Sequence, residues 1–234
     1  MSPDGAVPAA DRGPAFPSAA LFDMDGLLID TEPIWFGVES DIMTEHGGSW
    51  TSADHAVLVG TAMPVSSAFI SERIGGRLSP DEVASELLDR MAVRLRDAVF
   101  QPGARRLLDE LHAAGIPTAL VSSSAGVLVT AALQALAPLR FDAVVAGDTV
   151  ERHKPHPEPY LRAADLLGVD AAGCVAFEDS PVGVESALAA GCAVVAVPSV
   201  TAISASGRLL VVDSLDAVRL EALRCAFVEE NSRS

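Results

Sequence analysis

Two aspartates, Asp23 and Asp25, close a short apolar run in the segment Phe22-Asp23-Met24-Asp25-Gly26-Leu27-Leu28-Ile29-Asp30-Thr31. Residues Ala19 to Phe22 read as a short buried strand. Side chains alternate along a strand, so residues two apart share a face. Two carboxylates held side by side repel, and burial raises their pKa values, so such a pair needs a cation or a shared proton. Gly26 lets the chain turn sharply straight after the pair, which sets both acids at the strand's exit. In an open parallel α/β sheet, that carboxyl edge is where ligands bind. A pair there suits a hard cation such as Mg2+, together with a nucleophile beside an acid/base. An isolated Asp-x-Asp is most often a plain surface turn, so the weight of the reading lies on three elements further along the chain.

Ala119-Leu120-Val121-Ser122-Ser123-Ser124 is an apolar strand that ends in hydroxyls before an Ala/Leu-rich helical pattern. Lys154-Pro155-His156-Pro157-Glu158 is a loop that enters another helix, and Val175-Ala176-Phe177-Glu178-Asp179-Ser180 is a strand that ends in two acids. A strand-end hydroxyl, a lysine and a second acid pair are the parts a phosphoryl-transfer site needs. Lys154 stands out without any comparison, because it is the single lysine among 16 cationic residues. A compact ammonium fits between a carboxylate and a phosphoryl oxygen where a planar guanidinium does not.

The pattern between these elements predicts an α/β fold. Glu32 to about His46 reads as a helix with Pro33 in its first turn and Gly47-Gly48 as its stop. Pro64 to Ile74 reads as a second helix. Ser79-Pro80-Asp81-Glu82 is a capping box that opens a long amphipathic helix to about Val99. From Pro102 onward, strands at Thr118–Ser122, Ala143–Ala146, Val175–Glu178, Ala193–Val197 and Leu209–Val212 alternate with helices near Gly103–Ala114, Ala125–Leu136, Pro157–Leu167 and Pro181–Ala190. Such alternation predicts a Rossmann-like parallel sheet covered by helices on both faces. The expected organisation is a flexible leader over 1–18, a core formed by 19–32 and 101–228, an all-helical cap over 33–100 inserted after the first strand, and a frayed tail over 229–234.

As an ordered set, the four motifs resemble those of the haloacid dehalogenase superfamily, over about Ala19 to Val197. The resemblance implies that Asp23 is the nucleophile and Asp25 the general acid/base, and that Ser122 binds the phosphoryl group; Ser123 and Ser124 either help it or cap the helix that follows. It further implies that Lys154 neutralises phosphoryl charge and holds Asp23 ionised. Asp179, Asp23 and the Asp25 carbonyl would hold Mg2+, with Glu178 acting through a metal-bound water. Thr31 is expected to cap the first cap helix, and Asp30 to be structural. Within the superfamily, a dehalogenase lacks the second aspartate of the first motif, and a phosphonate hydrolase needs a cap lysine that this chain does not have. β-Phosphoglucomutase relatives carry a histidine after the first motif and an arginine in the first cap loop. Here the matching positions are Trp35 and Met63, in Glu32-Pro33-Ile34-Trp35 and Gly60-Thr61-Ala62-Met63-Pro64. The first motif is similar to sugar-phosphate phosphatases of the deoxyglucose-6-phosphatase type. The expected function is therefore a Mg2+-dependent phosphatase of small phosphorylated metabolites, with a phosphoglucomutase-like phosphotransferase or a non-catalytic binding protein of this fold as alternatives. Specificity would lie near Trp35, Gly60 and Met63.

A net charge of −16 argues against binding nucleic-acid backbones or anionic membrane surfaces. It leaves room for an anionic substrate, because a bound metal and Lys154 set the local field. Cys174, Cys192 and Cys225 have neither metal-ligand nor redox spacing and read as reduced thiols of a cytoplasmic protein. Met1 to Pro17 lacks the basic start and apolar core of a signal peptide, and no apolar stretch approaches the ~18 residues that span a bilayer. His153 and His156 read as loop residues, His46, His55 and His112 show no partner in the sequence, and a monomer is the expected state.

Overall fold

A computed structural model describes residues 17–223 except 60, 62, 138, 139, 200 and 206. The expected leader, tail and Cys225, together with Gly60, lie outside or largely outside the described residues. Six parallel strands form one sheet in the order β3-β2-β1-β4-β5-β6. They are β1 (Ala19–Phe22), β2 (Thr118–Val121), β3 (Ala143–Val145), β4 (Cys174–Glu178), β5 (Ala193–Ala196) and β6 (Leu209–Val211). β1 is central. It pairs with β2 on one side, Phe22 opposite Leu120, and with β4 on the other, Phe22 opposite Phe177. The chain thus leaves β1 toward β2 and β3 and later returns to the other side of β1 through β4. That reversal opens a crevice beyond the carboxyl ends of β1 and β4, the place where such sheets bind ligands.

The four central strands are buried along their whole length, as a sheet covered on both faces requires. Alternate residues feed two apolar layers. Ala20, Phe22, Leu120, Val175, Phe177 and Val195 join one, and Leu21, Val121, Ala176 and Val194 join the other. Phe22 and Phe177 stack with ring centroids 4.5 Å apart, which locks β1 against β4 directly beneath the site. The connecting helices α5 (Ala104–Ala113), α6 (Gly126–Ala135), α7 (Glu158–Leu167) and α8 (Pro181–Ala189) lie within two residues of the expected limits. Cys174 and Cys192 are buried, and burial pushes their thiols up to about 11 and about 12, so both are neutral at ordinary pH.

Between β1 and β2 the chain is helical: α1 (Glu32–Glu45), α2 (Ser52–Leu58), α3 (Met63–Arg73) and α4 (Pro80–Arg94). The capping box at Ser79 and Glu82 is present, and Val83, Leu87 and Met91 turn inward from α4 at four-residue spacing. Two expectations are corrected. α4 ends at Arg94, followed by a tight turn over Leu95–Asp97. The chain must there return to the sheet, and Phe100 forms a single antiparallel bridge with Ile29, joining the segments that leave and re-enter the core. Thr31 does not cap α1; its hydroxyl is buried without a hydrogen-bond partner. Among the described residues, no helix is long and apolar enough to cross a membrane.

Candidate active site

Four strand-end or loop segments converge beyond β1 and β4. Asp23 follows β1, Ser122 follows β2, Lys154 lies in the loop that enters α7, Glu178 ends β4 and Asp179 follows it. Lys154 is the hub. Its Nζ donates to Asp23 Oδ1 at 2.6 Å, to Glu178 Oε1 at 2.7 Å and to the Val121 carbonyl at 2.9 Å. The Lys154 side chain is only 5% exposed, so these charge-assisted bonds are shielded from water. The peptide from Lys154 to Pro155 is cis.

Asp25 is held by the serines that follow β2. Its Oδ2 accepts from the Ser124 hydroxyl at 2.8 Å and from the Ser122 hydroxyl at 3.3 Å, and Ser122 Oγ accepts from the Ser124 backbone N–H. Ser123, expected to bind phosphate, is exposed, and Ser124 takes the inward position. Neither serine caps α6; Asp148 accepts from the Gly126 N–H at 3.0 Å instead. On the far side, Ser199 donates to Asp179 Oδ2 at 2.6 Å. Gly26 has φ near +79°, and a Cβ there would collide with the Asp179 carboxylate. Glycine is therefore required twice over, for its conformation and for the close approach. Gln101 donates to the Gly26 carbonyl at 3.2 Å and holds this turn from the segment that returns to the core.

The family model for haloacid dehalogenase-like hydrolases matches residues 20–197. The chain belongs to this family. Hexitol phosphatase A of Escherichia coli is 36% identical over 76% of the chain and 81% of the relative. The E. coli fructose-1-phosphate phosphatase YqaB is 32% identical over 73% of the chain and 91% of the relative. Among solved structures, CbbY from Rhodobacter sphaeroides in complex with phosphate superposes with a TM-score of 0.74 at 25% identity, covering 86% of this chain and 95% of that one.

In this haloacid dehalogenase-like hydrolase, the balance of charge asks for a cation. Asp23, Glu178 and Asp179 are buried with carboxylate oxygens within 4.8 Å of one another. With Asp25 nearby, four carboxyls face one ammonium. Burial pushes the Asp23 carboxyl well above the usual range; Glu178, Asp179 and Asp25 add to that push and Lys154 opposes it. Burial likewise raises Asp25 against the hydrogen bonds from Ser124 and Ser122, and pushes Asp179 up to about 7 against the hydrogen bond from Ser199. Burial works against charge on Lys154, yet Asp23 and Glu178 outweigh it and hold the ammonium above its ordinary pKa. An all-oxygen, charge-rich cluster of this kind fits a hard divalent cation such as Mg2+ and offers no nitrogen or sulfur ligand for softer metals.

Some expected residues fall elsewhere. Trp35 on α1 and Met63 at the start of α3 are half-buried against the apolar core. Asp30 is exposed. His55, without an evident partner in the sequence, lies between Glu39 at 2.6 Å and Glu32 at 3.0 Å and ties α2 to α1. Sequence reasoning did not reach Tyr160 and Ser199. Tyr160 carried a signal, being the chain's single tyrosine on the same helix entry as its single lysine; Ser199 carried none.

Proposed function

We propose that the protein is a Mg2+-dependent phosphatase that hydrolyses a small sugar phosphate through an aspartyl-phosphate on Asp23. The observation that carries this reading is the Lys154 ammonium held 2.6 Å from Asp23 Oδ1 in a buried, carboxylate-rich crevice. Lys154 engages one oxygen of Asp23 and leaves the other for attack on phosphorus. Asp25, steadied by Ser122 and Ser124, protonates the leaving oxygen and then takes a proton from the water that hydrolyses the acyl phosphate. Its carboxyl, pushed above the ordinary range by burial, suits a group that must hold a proton and then give it up. Ser122, on turning its hydroxyl away from Asp25, which Ser124 still holds, and the start of α6 beyond Gly126 would offer donors to the phosphoryl oxygens. Asp23 and Asp179, with the Asp25 carbonyl, would hold Mg2+, which when bound offsets phosphoryl charge and the mutual repulsion of these carboxylates. The helices over 33–100 would form a cap that excludes water from the crevice when closed. The sugar-phosphate reading draws on the names of the two E. coli relatives.

The test is phosphate release from a panel of sugar phosphates, nucleotides and phosphoglycolate, with Mg2+ or chelator, by the wild type and Asp23→Asn. Release that requires Mg2+ and disappears in the variant is expected. Conversion of β-glucose 1-phosphate without release would move the assignment to a mutase, and no turnover of any compound would overturn it.

A further inference from the structure

Lys154 has no hydrogen to spare. An ammonium carries three donors, and here Asp23 Oδ1, Glu178 Oε1 and the Val121 carbonyl take one each. A phosphoryl oxygen can therefore reach Lys154 only by displacing one of these acceptors. Asp23 needs the ammonium beside it to attack as an anion. The Val121 carbonyl, at the end of β2, has no other side-chain donor among the described residues. Glu178 Oε1 differs from both, because it has a second donor already in place: the Tyr160 hydroxyl donates to the same oxygen. Tyr160 and Glu178 are both fully buried, so no water can take over that role. The other oxygen of Glu178 is held by the Asp179 N–H at 3.3 Å and the Ser180 hydroxyl at 3.4 Å. The Tyr160 ring also faces Lys154, with Nζ 5.1 Å from its centroid, so the ammonium can turn over an aromatic face without leaving favourable electrostatics.

Given a phosphoryl oxygen as the ligand, which is the phosphatase reading, we propose that Tyr160 is a positioning residue that stands in for Lys154 on Glu178 when the lysine turns to the phosphoryl group. In the free protein the Tyr160 hydroxyl is the redundant donor to Oε1. In the liganded protein it is the donor that remains. Its removal therefore costs little until phosphate binds, and then leaves a buried carboxylate oxygen unpaired.

Tyr160→Phe keeps the ring and removes the hydroxyl. Calorimetric titration with inorganic phosphate in Mg2+ should show affinity weakened about 10-fold, and kcat/KM should fall by a similar factor. The melting temperature without phosphate should stay within about 1 °C of the wild type, because Lys154 still satisfies Glu178. Wild type grown with 3-fluorotyrosine gives one fluorine resonance, since the chain has one tyrosine; phosphate should shift it. Unchanged phosphate affinity in Tyr160→Phe, or a fluorine resonance that phosphate does not move, overturns the role while wild-type turnover keeps the phosphatase reading intact. A phosphate-free melting temperature that falls with affinity unchanged makes the hydroxyl structural and overturns it equally. A wild type that neither binds phosphate nor releases it from any phosphomonoester removes both together.

Discussion

At the scale of single residues, the site is a contest between burial and charge. Asp23, Asp25 and Asp179 are all pushed above the ordinary carboxyl range, with burial as the largest cause in each. A carboxyl whose folded-state pKa exceeds its unfolded value binds more protons in the folded state between the two values, so stability falls as pH rises through that window. For Asp179 the window runs from its ordinary value of 3.8 up to about 7. In chelator, the melting temperature should therefore drop as pH is raised from about 5 to about 8. Surface carboxyls such as Glu45, Asp54 and Glu82, whose pKa values are lowered by their partners, act below that range and do not mask the trend. Saturating Mg2+ should flatten the profile, because it binds the ionised carboxylates and stabilises the fold most where they are charged. A chelated protein that gains stability toward pH 8 would refute this reading of the cluster. The residues that carry the charge were legible in the sequence because an apolar strand seldom ends in paired acids unless a cation or a proton offsets their repulsion. The hydroxyls that steady them were not: Ser122 and Ser124 on Asp25, and Ser199 on Asp179, depend on how loops turn, and a side chain's direction in a loop follows no period.

At the scale of elements, strands and core helices were readable because their signals are local. β2 and β4 are continuous apolar runs, and α4 announces itself through Ser79, Pro80 and Glu82. α2 was not readable. It has seven residues and buries only Leu58, so it has no amphipathic stripe; its capping box joins Thr51 to Asp54 in place of the usual Glu or Gln. Tertiary ties, His55 between Glu32 and Glu39, hold it in place. The end of α4 also escaped, because Phe100 bridges to Ile29, a residue far back along the chain. One element boundary makes a sharp prediction. Gly103, just before α5, has φ near +84°, and a Cβ there would meet the backbone of Leu215 and Asp216. Gly103→Ala should lower stability by about 2 kcal/mol, or roughly 5 °C in melting temperature. Its effect on Mg2+ affinity should be nil, because the strain falls on the seam between α5 and the turn over Leu215–Ala217 and not on the cluster. Thermal melts with and without Mg2+ measure both; a loss of metal affinity would show that this seam reaches the site.

At the scale of the whole molecule, topology brings the chemistry together. The sequence foretold a parallel sheet with a helical insertion, but not that β4 lies beside β1, and that adjacency is what sets Asp179 against Asp23. The helical segment is coupled to the core where α4 packs against α6 and where Gln101 holds both Gly26 and the Leu28 carbonyl. Charge acts over the same scale. A chain with net charge −16 presents a repulsive field to a phosphate ester, and attraction begins only close to Lys154 and the cation site. Many enzymes of anionic substrates bind them more weakly as salt screens attraction; here the far field has the opposite sign. The Debye length shrinks from about 30 Å at 0.01 M to about 8 Å at 0.15 M, which removes long-range repulsion and leaves the short-range contacts. With free Mg2+ held saturating, kcat/KM for a sugar phosphate should rise about 3-fold across that range of salt. The gain should lie in KM, since kcat depends on groups within a few ångströms of the phosphorus. A kcat/KM that falls with salt would mean that a local positive field outweighs the molecular charge, and would place more cationic character around the crevice than Lys154 alone supplies.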